Sequence, residues 1–234
     1  MTNRFSRYEL RTTDPDRARE FYTAVLGLAV WESSLRVTFL PERARAAGAP
    51  PHWLGHIGVP DVEAAVVAIE ARGGTRLGPT LHDASGSARA ALRDPFGAVL
   101  AVSAEPASLK AGAVAWHLHT SLDERQAWNG YSTWFGWTPL DTVDLGPVEG
   151  RHQVFSWSES GVPTGSMADL ARQPGIHPQW LFFFAVPDLD TAVTRVAALG
   201  GTVLATTRTG RGDLVVPCDD PHGGAFGLCE RPVN

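Results

Sequence analysis

The chain is poor in cysteine and carries no surplus of positive charge. Cys218 and Cys229 are the only thiols in 234 residues. Two reduced, structural cysteines are the expectation, with a pair across one hairpin as the alternative. The formal charge is −5, and no run of Lys or Arg occurs, so no basic face for nucleic acid is predicted. No stretch approaches the roughly 20 apolar residues of a membrane span. The opening MTNRFSRYELRTTDPDR lacks the apolar core of a secretion signal, which places the expected location in the cytoplasm. Familiar chemical motifs are missing too. GVPTGS at 161–166 lacks the Gly-Lys-Ser/Thr end of a phosphate loop. There is no Gly-x-Ser-x-Gly elbow, and neither cysteine has an adjacent histidine or an activating charge pattern.

The chain does contain repetition. At 44% hydrophobic and 19% charged it has an ordinary globular composition. VPDVEAAVVAIEARGGTRL (59–77) matches VPDLDTAVTRVAALGGTVL (186–204). Each has an Asp able to cap a helix, apolar residues at helical spacing, and a Gly-Gly stop where a left-handed C-cap costs little. RDPFGAVLAV (93–102) matches DDPHGGAFGL (219–228), an Asp-Pro turn followed by an apolar strand. TTDPDRAREFYTAVLGL (12–28) matches SLDERQAWNGYSTWFGW (121–137): Asp14 and Asp123 each precede a Tyr by eight and a Gly by thirteen. The early matches are offset by 109 residues and the later ones by 127 or 126, so the second half holds about 18 extra residues between 137 and 177. The expected fold is α+β: four βαβββ units in two domains, 1–105 and 113–234, joined by a linker at 106–112. Residues 28–50 leave room for only two or three short strands in the first unit.

These segments resemble the vicinal oxygen chelate superfamily, which includes glyoxalase I, bleomycin-resistance proteins and extradiol dioxygenases. The carrying residues are D-P-x-x-A-x-x-F-Y-x-x-x-L-G-L from Asp14 to Leu28, the V-P-D openings at 59 and 186, and the two D-P-x-G turns. Arg7-Tyr8-Glu9-Leu10 and His52-Trp53-Leu54 are similar to the tandem, two-domain actinobacterial-type branch. The resemblance implies curved, mixed sheets that form cups around a ligand. It also implies metal-ligand positions, which fall here on Arg7, Leu54 and Ala101, and on Trp116, Leu181 and Gly227. None of these side chains is a plausible ligand, and a metal site needs several converging donors. The expectation is therefore no metal and no cofactor.

Strand alternation sorts the remaining polar residues. Glu9 and His56 lie two residues beyond ligand positions and face inward, where burial and proximity suit a carboxylate and an imidazole to acid–base work. The alternatives are an ion pair of Glu9 with Arg7 or Arg11, and a hydrogen-bonded buried His56. His117 and His119 in AWHLHT sit one strand period apart, about 7 Å. In a regular strand they face the helices, with His119 at the position matched by Leu10. In a bulged strand they become the acid–base pair. Arg7, His52, Trp53, Trp116, Trp157, His177 and Trp180 are the candidates for lining the ligand site, with core packing the alternative for the tryptophans and loop positions for His52 and His177. His82-Asp83 lies in a polar loop, and His222 in a turn.

The function expected is a metal-independent enzyme of secondary metabolism, a lyase or cyclase. It would bind a hydrophobic, aromatic, polyketide-like molecule and act on it by His/Glu dehydration, cyclisation or isomerisation. The alternatives are a drug- or metabolite-binding resistance protein and a metal-dependent glyoxalase or dioxygenase. The expected partner is the small molecule alone, with neither nucleic acid nor membrane, for a monomer or homodimer.

Overall fold

A computed structural model describes residues 3–27, 35–104, 114–159 and 161–231; the expected linker at 106–112 lies outside them. In chain order the elements are β1 (Phe5–Thr12), α1 (Pro15–Leu26), β2 (Leu35–Phe39), α2 (Glu42–Ala46), β3 (His52–Gly58), α3 (Val62–Glu70), β4 (Thr75–Arg76), β5 (Leu81–His82), β6 (Ala88–Arg93) and β7 (Val99–Ser103). The second half gives β8 (Val114–Thr120), α4 (Glu124–Phe135), β9 (Thr138–Asp144), β10 (Arg151–Ser156), β11 (Gly165–Ala168), β12 (Gln179–Val186), α5 (Leu189–Ala198), β13 (Thr202–Val203), β14 (Thr207–Arg208), β15 (Leu214–Asp219) and β16 (Ala225–Glu230). Among the described residues no helix is long and apolar enough to cross a membrane.

Local chemistry sets the four long helices. Each starts on an aspartate whose carboxylate accepts a first-turn amide: Asp14 from Arg17, Asp61 from Ala64, Asp123 from Gln126 and Asp188 from Thr191, at 2.8–3.1 Å. After α3 and α5, the first glycine of each Gly-Gly pair supplies the left-handed turn, Gly73 at φ 95° and Gly200 at φ 84°. The second of each pair lies flat on its helix. A Cβ on Gly74 would meet Ile69, and one on Gly201 would meet Val196.

Two mixed sheets result, with order β2-β1-β3-β7-β6-β4 in the first half and β13-β15-β16-β12-β8-β11-β10-β9 in the second. β2 runs parallel to β1 with Tyr8 opposite Leu35, and β11 runs parallel to β8 with His117 opposite Gly165. The same offset of 109 that aligns the helices aligns Tyr8 with His117, so β2 and β11 are counterparts. The hairpin β9–β10 therefore has no described counterpart in the first quarter. Residues 35–50 there give one strand and the short α2.

The chain packs as two compact units, each drawing on both halves. Unit 1 comprises Met1–Ser6, Gly55–Ser108 and His117–Trp180; unit 2 comprises Arg7–Leu54, Leu109–Trp116 and Leu181–Asn234. Each is organised around a matching buried relay. In unit 1, Trp180 Nε1 donates to Tyr131 Oη (2.8 Å), which donates to Asp94 Oδ2 (2.7 Å). Asp94 Oδ1 accepts the amides of Phe96 and Ala98, both at 2.9 Å. In unit 2, Trp53 Nε1 donates to Tyr22 Oη and Tyr22 Oη to Asp220 Oδ2, both at 3.0 Å. Asp220 Oδ1 accepts the amides of His222 and Gly224. Burial first, and then the facing carboxylate, push both tyrosine hydroxyls well above their ordinary pKa, so both remain donors. Aromatic rings pack around each relay. Trp137 stacks on Phe155 at 4.9 Å in unit 1, and Tyr22 meets Phe226 edge-on at 5.1 Å in unit 2.

Tyr131→Phe leaves the Trp180 indole and a buried carboxylate oxygen each short of a partner. It should cost about 1–3 kcal/mol, read as a lowered urea midpoint with an unchanged slope. Tyr22→Phe should cost a similar amount.

Candidate active site

The two faces of each sheet have different surroundings. Trp53 and Trp180 point to the helices, where they meet Tyr22 of α1 and Tyr131 of α4. Residues of the opposite parity face away from the helices, and these are the positions that line the ligand site in the resemblance drawn above.

In unit 1, the helix-free face of β3 and β7 carries His56 opposite Ala101, followed by Ser103 opposite Gly58. In unit 2 the matched strands β12 and β16 place Phe183 opposite Gly227 and Cys229 opposite Ala185. The Phe183 ring lies directly over Gly227, so that any Cβ there would collide with it. The helix-free face of unit 2 is thus plugged by an aromatic ring where unit 1 has an imidazole. His56, Ser103 and Phe183 are all at most 1% exposed.

The third quarter adds more polar groups to unit 1. Leu118 pairs with Ser166 across β8–β11, and Ser166 pairs with Val154 across β11–β10, so Ser166 and His152 share the helix-free face. His152 Nδ1 lies 3.0 Å from Ser166 Oγ. Its Nε2 lies 3.9 Å from Glu149 Oε2 and makes no hydrogen bond. Burial lowers the His152 pKa to about 4, so the ring is neutral at pH 7. Glu149 in turn lines an open cleft of about 540 Å3 that also takes in Glu124, Arg125, Arg151, Asp169 and Arg172. Burial, with Asp169 nearby, raises the Glu124 pKa against the opposing pull of Arg151. Sequence reasoning passed over His152. It stands in no motif, and its only signal was its alternation with Phe155 along β10.

The histidines that attracted attention in the sequence lie on the other face. The strand is regular, and His119 Nε2 reaches Asp94 Oδ2 at 3.3 Å with its ring edge-on to Tyr131 and Trp180. His119 thus adds a third donor to the relay of unit 1, where unit 2 has Leu10. His117 Nδ1 lies 2.9 Å from the Thr164 carbonyl, and its ring stacks on Phe5 at 5.2 Å and meets Trp157 edge-on. Burial lowers its pKa to about 4.

Glu9 falls in unit 2 and His56 in unit 1. Its carboxylate accepts from Arg11 (3.0 Å), Thr38 (3.2 Å) and Arg7 (3.4 Å), the ion-paired arrangement. Trp53, Trp157 and Trp180 pack in the aromatic cores of their units. Trp116 is buried, with the Arg211 guanidinium 5.1 Å above its ring. His52 is half-buried, its Nδ1 2.8 Å from the Pro50 carbonyl, with its pKa lowered by burial. His177 is an exposed loop residue whose carbonyl accepts from Thr120.

The six positions at which the superfamily would hold a metal do not fit one. They are Arg7, Leu54, Ala101, Trp116, Leu181 and Gly227, and the last is covered by Phe183. Among the described residues no three His, Cys, Asp or Glu side chains are grouped to hold an ion.

Comparison with known proteins identifies the class. The family described as the Glyoxalase/Bleomycin resistance protein/Dioxygenase superfamily matches residues 4–102. Anthracycline biosynthesis protein DauV of Streptomyces sp. (strain C5) is 30% identical over 197 residues, spanning 78% of this chain and 67% of that protein. The putative glyoxylase CFP32 of Mycobacterium bovis is 26% identical over 255 aligned residues, spanning 96% of this chain and 89% of that one. Among solved structures, the Mn(II)-bound glyoxalase from Novosphingobium aromaticivorans superposes with a TM-score of 0.65 at 13% identity, over 98% of this chain and 82% of that one. The 2,3-dioxygenase LapB from Pseudomonas sp. KL28 gives 0.63 at 13% identity, over 97% and 92%. The chain belongs to the glyoxalase/bleomycin resistance protein/dioxygenase superfamily.

His117 and His152 are neutral in the folded protein and titrate near pH 6.5 when unfolded. Between those values the unfolded chain binds more protons, so stability present above pH 6.5 is lost as pH falls toward 4, by roughly 3 kcal/mol for each histidine. Thermal unfolding followed from pH 7 to 4.5 should show this decline, and His117→Asn should flatten it.

Proposed function

We propose that this protein is an enzyme of secondary metabolism. It binds a hydrophobic, aromatic, polyketide-like molecule on the helix-free face of unit 1 and acts on it by histidine proton transfer without a metal. One observation carries the reading: at matched positions of the repeat, unit 1 presents His56 and Ser103 where unit 2 presents Phe183 and Cys229. A buried imidazole and hydroxyl on a face that also carries Ala101 and Leu118 suit both recognition and proton transfer. The poor fit of the six superfamily positions to a metal supports acid–base chemistry such as dehydration, cyclisation or isomerisation. Two relatives support the substrate class. DauV, and DnrV of Streptomyces peucetius at 30% identity over 195 residues, are both named as anthracycline biosynthesis proteins.

The eight tryptophans provide the readout. Anthrone, a tricyclic aromatic ketone, should quench their fluorescence saturably. His56→Phe, which copies unit 2, should weaken binding about tenfold or more, a loss of at least about 1.4 kcal/mol, whereas Cys229→Ser should leave it unchanged. Dialysis against EDTA should not alter binding. Equal binding by the wild type and His56→Phe overturns the assignment to unit 1, and loss of binding on chelation overturns the metal-free reading.

A further inference from the structure

The structure assigns a catalytic base to a residue outside every motif in the sequence. We infer that His152 takes and returns the substrate proton in unit 1, with Ser166 fixing its ring and Glu149 linking it to solvent. This rests on the function proposed above and deepens it.

The geometry is that of an oriented base. Ser166 is fully buried, and its hydroxyl 3.0 Å from Nδ1 holds the ring. The role requires the tautomer in which Nδ1 donates to Ser166 Oγ and Nε2, which makes no hydrogen bond in this geometry, carries the lone pair. The Glu149 carboxylate has no proton to give to that lone pair, and its Oε2, 3.9 Å away, is near enough to stabilise an imidazolium once it forms. A neutral ring at pH 7 is the form that accepts a proton.

The surroundings supply the route. His152 is 3% exposed, whereas the Glu149 side chain is 23% exposed. Glu149 is therefore shared between the buried imidazole and the open cleft. The other cleft residues named above are charged, which suits water better than an apolar ligand. The cleft thus acts as the proton's exit, while the substrate lies against the helix-free face that carries His152 and Ser166. The hairpin β9–β10, which delivers both Glu149 and His152, has no counterpart among the described residues of the first quarter.

The step balances as a keto–enol isomerisation. His152 Nε2 accepts a proton from a C–H conjugated with a ketone. The electron pair of that C–H bond becomes the carbon–carbon double bond of an enolate as the carbonyl π pair moves onto oxygen. No electrons are gained or lost: the enolate oxygen takes its one proton either from the imidazolium or from water, and in the second case the imidazolium releases its own proton to water through Glu149. Ser166 and Glu149 are positioning residues.

Anthrone tests this directly, because its C10 hydrogens exchange with solvent through the enol. In D2O under argon, NMR should show the wild type accelerating loss of the C10 signal roughly 100-fold over an equal concentration of free imidazole. His152→Gln should abolish the acceleration while anthrone binding, read by Trp quenching, stays within about twofold (an energy difference under 0.5 kcal/mol). Glu149→Gln should slow deuterium uptake roughly tenfold at unchanged binding, a split between rate and affinity that general loosening of the fold would not produce. If His152→Gln does not fold, Glu149→Gln decides, and unchanged uptake in it overturns the relay. Exchange that survives in His152→Gln but disappears in His56→Gln overturns the assignment to His152 and leaves the proposed function standing. Binding without exchange in the wild type also overturns the assignment. Absence of binding overturns the proposed function itself.

Discussion

The organisation of the molecule depends on one contact made twice: a tyrosine hydroxyl on a helix donating to the aspartate of an Asp-Pro turn. Tyr131 and Asp94 are 37 residues apart, whereas Tyr22 and Asp220 are 198 apart. A buried carboxylate with fewer donors would be costly. The turn amides satisfy one oxygen of each aspartate and the tyrosine satisfies the other. These contacts pair the second quarter with the third and the first with the fourth. The long-range pair is a loop closure across most of the chain, and a tryptophan indole completes each relay.

Duplication left the two units with the same frame and different faces. In unit 2 a phenylalanine ring covers a glycine, and the one acidic residue of β1 is held by two arginines and a threonine. In unit 1 the matched positions are a histidine, an alanine and a serine, and an additional hairpin brings another histidine and a glutamate. Buried polar side chains are gathered on the helix-free face of unit 1, while the matched positions of unit 2 hold Phe183, Gly227 and Cys229.

The sequence made the frame readable because helix caps, Gly-Gly stops and Asp-Pro turns are local chemistry, and each recurs at a fixed offset. Strand alternation set facing: it put Trp116 and His119 on opposite faces of one strand, and the regular β8 has His119 against Tyr131 of α4 as that alternation requires. Quarter pairing was not readable, since the repeats match equally well under either partnership. The same limit applies to Glu9 and His56, which fall in different units although β1 and β3 are neighbours in one sheet. His152 was invisible for another reason. It lies in the inserted hairpin, where no repeat provides a register and the β9–β10 pairing shifts between Gln153 and Phe155.

The Phe183–Gly227 pair has a practical consequence. Opposite a residue with no side chain, a single ring is all that fills the helix-free face of unit 2 at that point. Exchanging the ring for a methyl group would leave an apolar void, and apolar voids of this size stay dry and accept small aromatic guests. Unit 2 therefore holds a ready-made blank, where an independently chosen receptor can be engineered into the same chain.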